Sequence, residues 1–288
     1  MKTLLILSGK GGTGKTTTAA AMIRFSQARA MSDCDVDAPN LHIVSRMETD
    51  PRRSDFQGGD KAVIDPAKCI GCGTCMEHCR FSAIRMEGSR CRVVERACEG
   101  CGVCSYVCPV SAVSMVESVA GQLELYSGER VFSTAQLKMG CGNSGMLVTR
   151  VKQAMVQNAP DTELAVIDGS PGIGCPVIAS ITGVDLVLVV AEPSLSGLSD
   201  LKRILSTAGV LRTGVAVCIN KADSSPEITR EIQDYCERKN VPFVGTIPYD
   251  KTASEAINRG ESVADTDCPA SRALYRVYER VKAILFQE

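Results

Sequence analysis

The apolar run Lys2–Leu7 stops at a cluster of glycines, Gly9-Lys10-Gly11-Gly12-Thr13-Gly14-Lys15-Thr16, and the chain continues as TTTAAAMIRFSQA, a stretch of helical composition without a breaker. This succession of strand, glycine turn and helix, with G-x-x-x-x-G-K-[ST] at the turn, constrains the fold more than anything else in the sequence. Glycines let the backbone curl until several N–H groups face one point, and the helix that follows adds the positive end of its dipole there. The natural occupant of such a turn is a phosphate. Lys15 is then expected to reach the β- and γ-phosphates and the Thr16 hydroxyl to hold Mg²⁺, with Gly9, Gly11, Gly12, Thr13, Gly14 and Thr17 completing the cradle.

Further along, four strand-like runs at 164–167, 186–190, 215–219 and 242–247 alternate with helical segments. That alternation calls for a parallel sheet covered by helices on both faces. The stretch 121–137 alternates around Ser127-Gly128 and reads as a hairpin, while the polar stretch 46–62, with its Pro, Arg and Gly residues, reads as a linker. The closing SRALYRVYERVKAILF is amphipathic and reads as a final helix covering the core.

Between these parts lies a repeat. CIGCGTCMEHC at 69–79 returns as CEGCGVCSYVC at 98–108, 29 positions on, and SAI at 82–84 returns as SAV at 111–113. C-x₂-C-x₂-C-x₃-C is the spacing by which three thiolates on a tight turn take three corners of an iron–sulfur cubane, while the fourth cysteine serves the other cluster. One [4Fe–4S] cluster is therefore expected on Cys69, Cys72, Cys75 and Cys108, the other on Cys98, Cys101, Cys104 and Cys79. Zinc also takes C-x₂-C pairs, but it gives no reason for the crossed fourth ligand to occur twice. Pro109 follows Cys108 whereas Arg80 follows Cys79, so the two clusters are expected to be inequivalent. Of the remaining cysteines, Cys218 reads as core packing; His42 and His78 read as surface or packing residues.

A second lysine inside the loop, Lys10, makes it resemble the deviant Walker A motif of the MinD/ParA/Mrp-type P-loop ATPases, and the cassettes resemble a two-cluster bacterial ferredoxin inserted into that fold. The resemblance implies a homodimer closed across the nucleotide, with Lys10 reaching the partner's phosphates in the manner of an arginine finger. It extends to DCDVDAPNL, where Asp35 falls at the position that orients the attacking water and Asp33 and Asp37 have weaker claims. In LAVIDGSPGIG, Asp168 resembles the Walker B carboxylate that holds Mg²⁺, and 171–174 the γ-phosphate switch. In VAVCINKAD, Asn220 falls where the family contacts adenine, and Pro248 adds a further nucleotide contact. The same stretch fits the N-K-x-D of GTP-binding proteins; the two-lysine loop points to ATP. Some relatives hold a metal between subunits near the switch, which draws attention to Cys141 and Cys175.

The fold expected is α/β, a doubly wound P-loop NTPase with a mostly parallel sheet and a small inserted α+β ferredoxin-like domain, divided as 1–60 and 119–288 for the ATPase and 61–118 for the insert. The expected function is Mg-dependent hydrolysis of ATP to ADP and phosphate, coupled to the insert in metallocluster assembly or insertion into an apo-metalloprotein partner. The alternative is an ATP-gated, low-potential electron donor to a redox partner. A net charge of −1 gives no footprint for nucleic acid, and no apolar run reaches the length of a membrane span. MKTLLIL is too short for a secretory leader. The expected location is the cytoplasm, where fifteen cysteines argue for metal rather than disulfides.

Overall fold

The structure is a computed structural model that describes residues 1–45, 47 and 49–287. In chain order the first half gives β1 (Lys2–Leu7), α1 (Lys15–Ser26), β2 (Ala30–Asp33), α2 (Leu41–Ser45), β3 (Arg52–Ile64), α3 (Thr74–Glu77), β4 (Ile84–Glu87), β5 (Arg90–Val93), α4 (Val103–Tyr106), β6 (Val113–Tyr126) and β7 (Val131–Leu137). The second half gives α5 (Ser144–Asn158), β8 (Leu164–Asp168), α6 (Cys175–Ile181), β9 (Leu186–Ala191), α7 (Leu195–Val210), β10 (Gly214–Asn220), α8 (Pro226–Arg238), β11 (Phe243–Ile247), α9 (Lys251–Asn258) and α10 (Pro269–Phe286).

Among the described residues nine strands form one sheet in the order β11-β10-β9-β1-β8-β2-β7-β6-β3. From β11 to β7 every pair is parallel; β6 and β3 then add antiparallel. Strands buried on both faces must be apolar throughout, and LVLVVA in β9 is buried at every position. One face packs on α1 and α10 through Met22, Met31, Leu274 and Val277, the other on α5 to α8 through Leu147, Val151, Ile204 and Ile232. The α10 helix buries Ala270, Ala273, Leu274, Val277, Val281 and Leu285, the 3–4 spacing of a core-covering stripe. No helix among the described residues is long and apolar enough to cross a membrane.

The hairpin expected at 121–137 forms as β6–β7. The linker expected at 46–62 does not extend over its length: β3 occupies Arg52–Ile64, paired along β6 with breaks in register between Phe56 and Asp60. Arg46 and Glu48 of that stretch lie outside the described residues. β3 is mostly exposed on both faces, so it needs no apolar alternation, and its pairing is held by backbone hydrogen bonds that polar sequence does not reveal. Together β3 and β6 make a two-stranded ribbon that runs out of the large sheet into the cysteine-bearing segment.

Within that segment the 29-residue repeat is visible in the backbone. Gly71 and Gly100 take φ +69° and +68°, and Ser82 and Ser111 take +51° and +50°. Gly100 lies so close to the Asp60 carbonyl, and Gly71 to that of Ser89, that a Cβ at either would collide with backbone.

Candidate functional site

The loop after β1, the centre of the parallel sheet, sits at the carboxyl ends of the strands, where α/β sheets place their ligands. Gly14 caps α1 at φ +94°, and a Cβ there would run into the Asn220 amide. Asn220, at the end of β10, donates from Nδ2 to the Thr13 carbonyl at 2.8 Å, and Lys221 donates from Nζ to that of Gly12 at 3.2 Å. The neighbouring Asp223 accepts from the Tyr249 N–H at 2.7 Å, which fixes the half-buried Pro248 alongside. The structure therefore engages the Asn220 side chain on the loop itself, and places Pro248 beside the residue that Asp223 binds.

Lys15 is buried, 5% exposed, with its ammonium 2.7 Å from Asp168 Oδ1 and 3.8 Å from Asp35 Oδ2. Thr16 Oγ1 donates to Asp168 Oδ2 at 2.6 Å. Thr17 lies half-buried on α1 beside them. Burial would lower the Lys15 pKa, but the fields of Asp168, Asp33 and Asp35 outweigh it and hold the ammonium charged. Burial and the charge of Asp168 push Asp33 up to about 7, and burial likewise raises Asp35. Thr16 and Asp168, whose side-chain oxygens meet at 2.6 Å beside that ammonium, offer the hydroxyl and carboxylate oxygens that a divalent cation takes.

Asp33, given little weight in the sequence, organises the loop that carries Asp35. It is fully buried and accepts N–H bonds from Asp35 at 2.9 Å, Asn40 at 2.8 Å and Leu41 at 2.9 Å. Glu192 was not foreseen. It follows β9, takes Lys10 Nζ at 2.8 Å and Lys221 Nζ at 3.4 Å, and is held below the ordinary carboxylate range first by its bond to Lys10. Lys10 also reaches Ser196 Oγ at 3.4 Å, so this lysine is engaged within its own chain. The signal was there: a lone carboxylate closing a wholly apolar strand at the ligand edge of the sheet.

The cassette cysteines divide between two small cavities of equal size, about 20 Å³ each. Cys69, Cys72, Cys75 and Cys108 line the first; Cys98, Cys101, Cys104 and Cys79 line the second. The two crossing thiols have matching supports, Cys79 Sγ taking the Ala83 N–H at 3.4 Å and Cys108 Sγ that of Ala112 at 3.2 Å. The Thr74 hydroxyl, with the Thr74 N–H, draws Cys72 below its ordinary value. Among the described residues no group of three or more His, Cys, Asp or Glu side chains converges tightly enough to hold a single metal ion. Of the other cysteines, Cys34, Cys218, Cys236 and Cys268 are buried in the layers packed on the large sheet, Cys91 lines the first cavity, Cys141 is half-buried and Cys175 is exposed.

The first turn of α5 joins the two regions. Asn143, its cap, donates to the Gly58 carbonyl at the root of the ribbon. Gly145 lies against the Cys175 backbone, which directly follows 171–174. Gly142, just before the helix, lies against Glu99 beside Cys98.

A family model described as the CobQ/CobB/MinD/ParA nucleotide binding domain matches residues 4–263. The chain belongs to this family. An uncharacterized protein of Methanocaldococcus jannaschii is 28% identical over 98% of this chain and 97% of its own length. The MinD cell division ATPase of Pyrococcus furiosus superposes with a TM-score of 0.55 at 16% identity, covering 98% of this chain and 99% of that one. MinD of Pyrococcus horikoshii, complexed with Mg-ADP, gives a TM-score of 0.55 at 16% identity over 98% and 96%. At such identities these structures establish a shared fold. The α/β P-loop NTPase fold with its mostly parallel sheet is thus secured, and the family match makes it a nucleotide-binding domain.

Proposed function

We propose that this chain is a Mg-dependent ATPase whose nucleotide state governs a ferredoxin-like insert with two [4Fe–4S] clusters, and that it works as an ATP-gated electron donor to a partner redox enzyme. The observation that carries the coupling is the first turn of α5, in contact at once with the residue after the switch and with the root of the insert ribbon. Such an element can take two positions according to whether a γ-phosphate pulls on 171–174.

At the nucleotide, Lys15 neutralises phosphate charge, Thr16 and Asp168 hold Mg²⁺, and Asp35 positions the attacking water. Mg-ADP in the Pyrococcus horikoshii MinD supports this assignment. Lys10 acts on the partner subunit's phosphates once the homodimer forms. Its bond to Glu192 is half-exposed, and such pairs contribute only about 0–1 kcal/mol, so it is readily exchanged for phosphate.

The donor set suits the clusters: eight thiols divided four and four, three from one turn and one from the other half of the repeat. Bound there, each cluster supplies a one-electron redox centre. The chain's own part is to fix its thiols. Cys75, Cys98 and Cys104 are each less than 10% exposed, Cys72 and Cys101 are exposed, and each set of four draws on both halves of the repeat. This favours resident clusters over cargo. The surplus of cysteines that weighs towards metallocluster assembly is largely spent inside the ATPase core. Assembly keeps one supporting observation, the exposed Cys175 directly after 171–174.

The test is anaerobic loading with ⁵⁵Fe, followed by a strong Fe(II) chelator in Mg-ADP or in Mg with a non-hydrolysable ATP analogue. Electron donation predicts label retained under both nucleotides and a reduction potential that differs between them. Release of one cluster's iron under one nucleotide alone would overturn donation in favour of assembly.

A further inference from the structure

α6 begins directly after 171–174, at Cys175, and α5 packs beside it on the same face of the large sheet. The two helices run the same way. Gly145, in the first turn of α5, lies against the Cys175 backbone at the start of α6, and Lys152, seven residues on, reaches the far end of α6. Nothing in the sequence marks Lys152, since a lysine on an amphipathic helix ordinarily faces solvent.

Here Lys152 is half-buried and ends on three backbone carbonyls. Its Nζ donates to that of Ala179 at 3.0 Å, of Ser180 at 2.7 Å and of Thr182 at 2.7 Å. An ammonium has three donors, so each proton finds an acceptor. The last turn of a helix leaves four carbonyls without an N–H from the helix itself. In α6 the Ile178 carbonyl takes the Thr182 N–H at 3.0 Å and its hydroxyl at 2.8 Å, and the Ile181 carbonyl takes the Val184 N–H at 3.3 Å. Those of Ala179 and Ser180 fall to Lys152. Its charge strengthens these bonds and meets the negative end of the helix dipole.

The rest of the contact between these helices is of another kind. Val148 and Val151 of α5 share an apolar cluster with Val177 and Ile181 of α6. Burial of apolar surface is non-directional, so this layer holds the helices together without fixing how far one has slid along the other. The approach of Gly145 to Cys175 is a contact that can push but cannot pull. Lys152 adds directed bonds about 10 Å further along the axis, at 1.5 Å per residue. Resting on the reading that nucleotide state governs the insert, we propose that Lys152 is a positioning residue that locks α5 to α6. A shift of α6 drawn by 171–174 then carries the first turn of α5 with it, and so the tie from Asn143 to Gly58, instead of sliding past. The three hydrogen bonds of Lys152 all go to the end of α6 and none to the loop after β1, so its effect is on the relay and leaves the hydrolytic groups in place.

The experiment is hydrogen exchange on the iron-loaded full chain, in Mg-ADP and in Mg with a non-hydrolysable ATP analogue, for the parent, Lys152→Met and Lys152→Arg. Lys152→Met keeps an unbranched side chain and removes the ammonium. Its turnover and iron content should match the parent's, and 171–175 should still respond to nucleotide, while the response of the first turn of α5 and of the chain around Gly58 is lost. Lys152→Arg, which restores a cation with several donors, should recover that response in part or in full. A Lys152→Met chain in which α5 and Gly58 respond as in the parent would overturn the proposal. Loss of the response at 171–175 together with turnover would also overturn it, since that marks general damage to the fold. Lys152→Gln keeps the test decisive if Lys152→Met loads poorly: its two amide donors should leave a weakened response at Gly58, and an undiminished one would contradict the assignment. A parent chain whose response is confined to 171–175 would instead sink the coupling reading beneath it.

Discussion

The nucleotide pocket and the cysteine insert are built on opposite principles. Around Lys15 the charges are fixed by a frame that stands without them: three parallel strands end side by side, Asp33 is gripped by three backbone N–H groups, and thick apolar layers lie beneath. The insert has no such frame. Its packed cluster of buried residues is Ala62, Cys75, Ala83, Ile84, Cys91, Cys98, Cys104 and Val113, half of them cysteines, three of which are at once core and donor set. So small a core falls in the range where metal commonly supplies the missing stability. Chemistry in the first region is laid on a finished fold; in the second, the cofactor is expected to be part of the fold.

The largest effects should come from separating the regions. Lys15→Ala is expected to abolish ATP hydrolysis, and Lys10→Ala to slow it by about a thousandfold or more, with iron content and visible absorbance unchanged in both. Simultaneous loss of turnover and iron would break the contrast. Next in size is removal of iron. Hydrogen exchange should then collapse to unprotected rates across 65–112, while β1, β8 and β9 keep their protection. A middle-sized effect should follow Asn143→Ala, which removes the tie to Gly58. It should leave turnover and iron in place and weaken the dependence of insert exchange on nucleotide.

The smallest effect lies at the start of α9. Asp250 caps α9 through the Thr252 N–H at 2.9 Å and accepts the Ala270 N–H at the start of α10 at 3.1 Å. These bonds, that of Ala270 foremost, hold its carboxyl below the usual range. Its contribution is therefore full above the unfolded carboxylate pKa and is lost as pH falls through the depressed folded value. Asp250→Ala should cost about 1 kcal/mol at pH 7 by denaturant titration, with the gap to the parent closing in acid.

The difference between the regions also explains what sequence could reveal. The phosphate loop, the alternating strands and the cysteine spacing each follow a local rule, so the loop, the parallel sheet and the repeat could be expected from order alone, whereas Asp168 and Asp35 were read from a family resemblance. β3 was mistaken for linker because a ribbon wet on both faces carries no apolar pattern. Glu192 and the bracing role of Asp33 depend on which strand ends adjoin, a matter of topology. Cys91 has no cassette spacing to mark it, and only the packing of the short hairpin β4–β5 brings it to the cavity that Cys75 lines.

The claim that joins the regions is that the nucleotide moves the insert through α5. It is tested most directly by hydrogen exchange on the iron-loaded protein, comparing Mg-ADP with Mg and a non-hydrolysable ATP analogue. The account predicts that exchange changes in three places together: 171–175, the first turn of α5, and the ribbon root around Gly58 and Gly121. A change confined to 171–175, with α5 and the ribbon identical under both nucleotides, would contradict it.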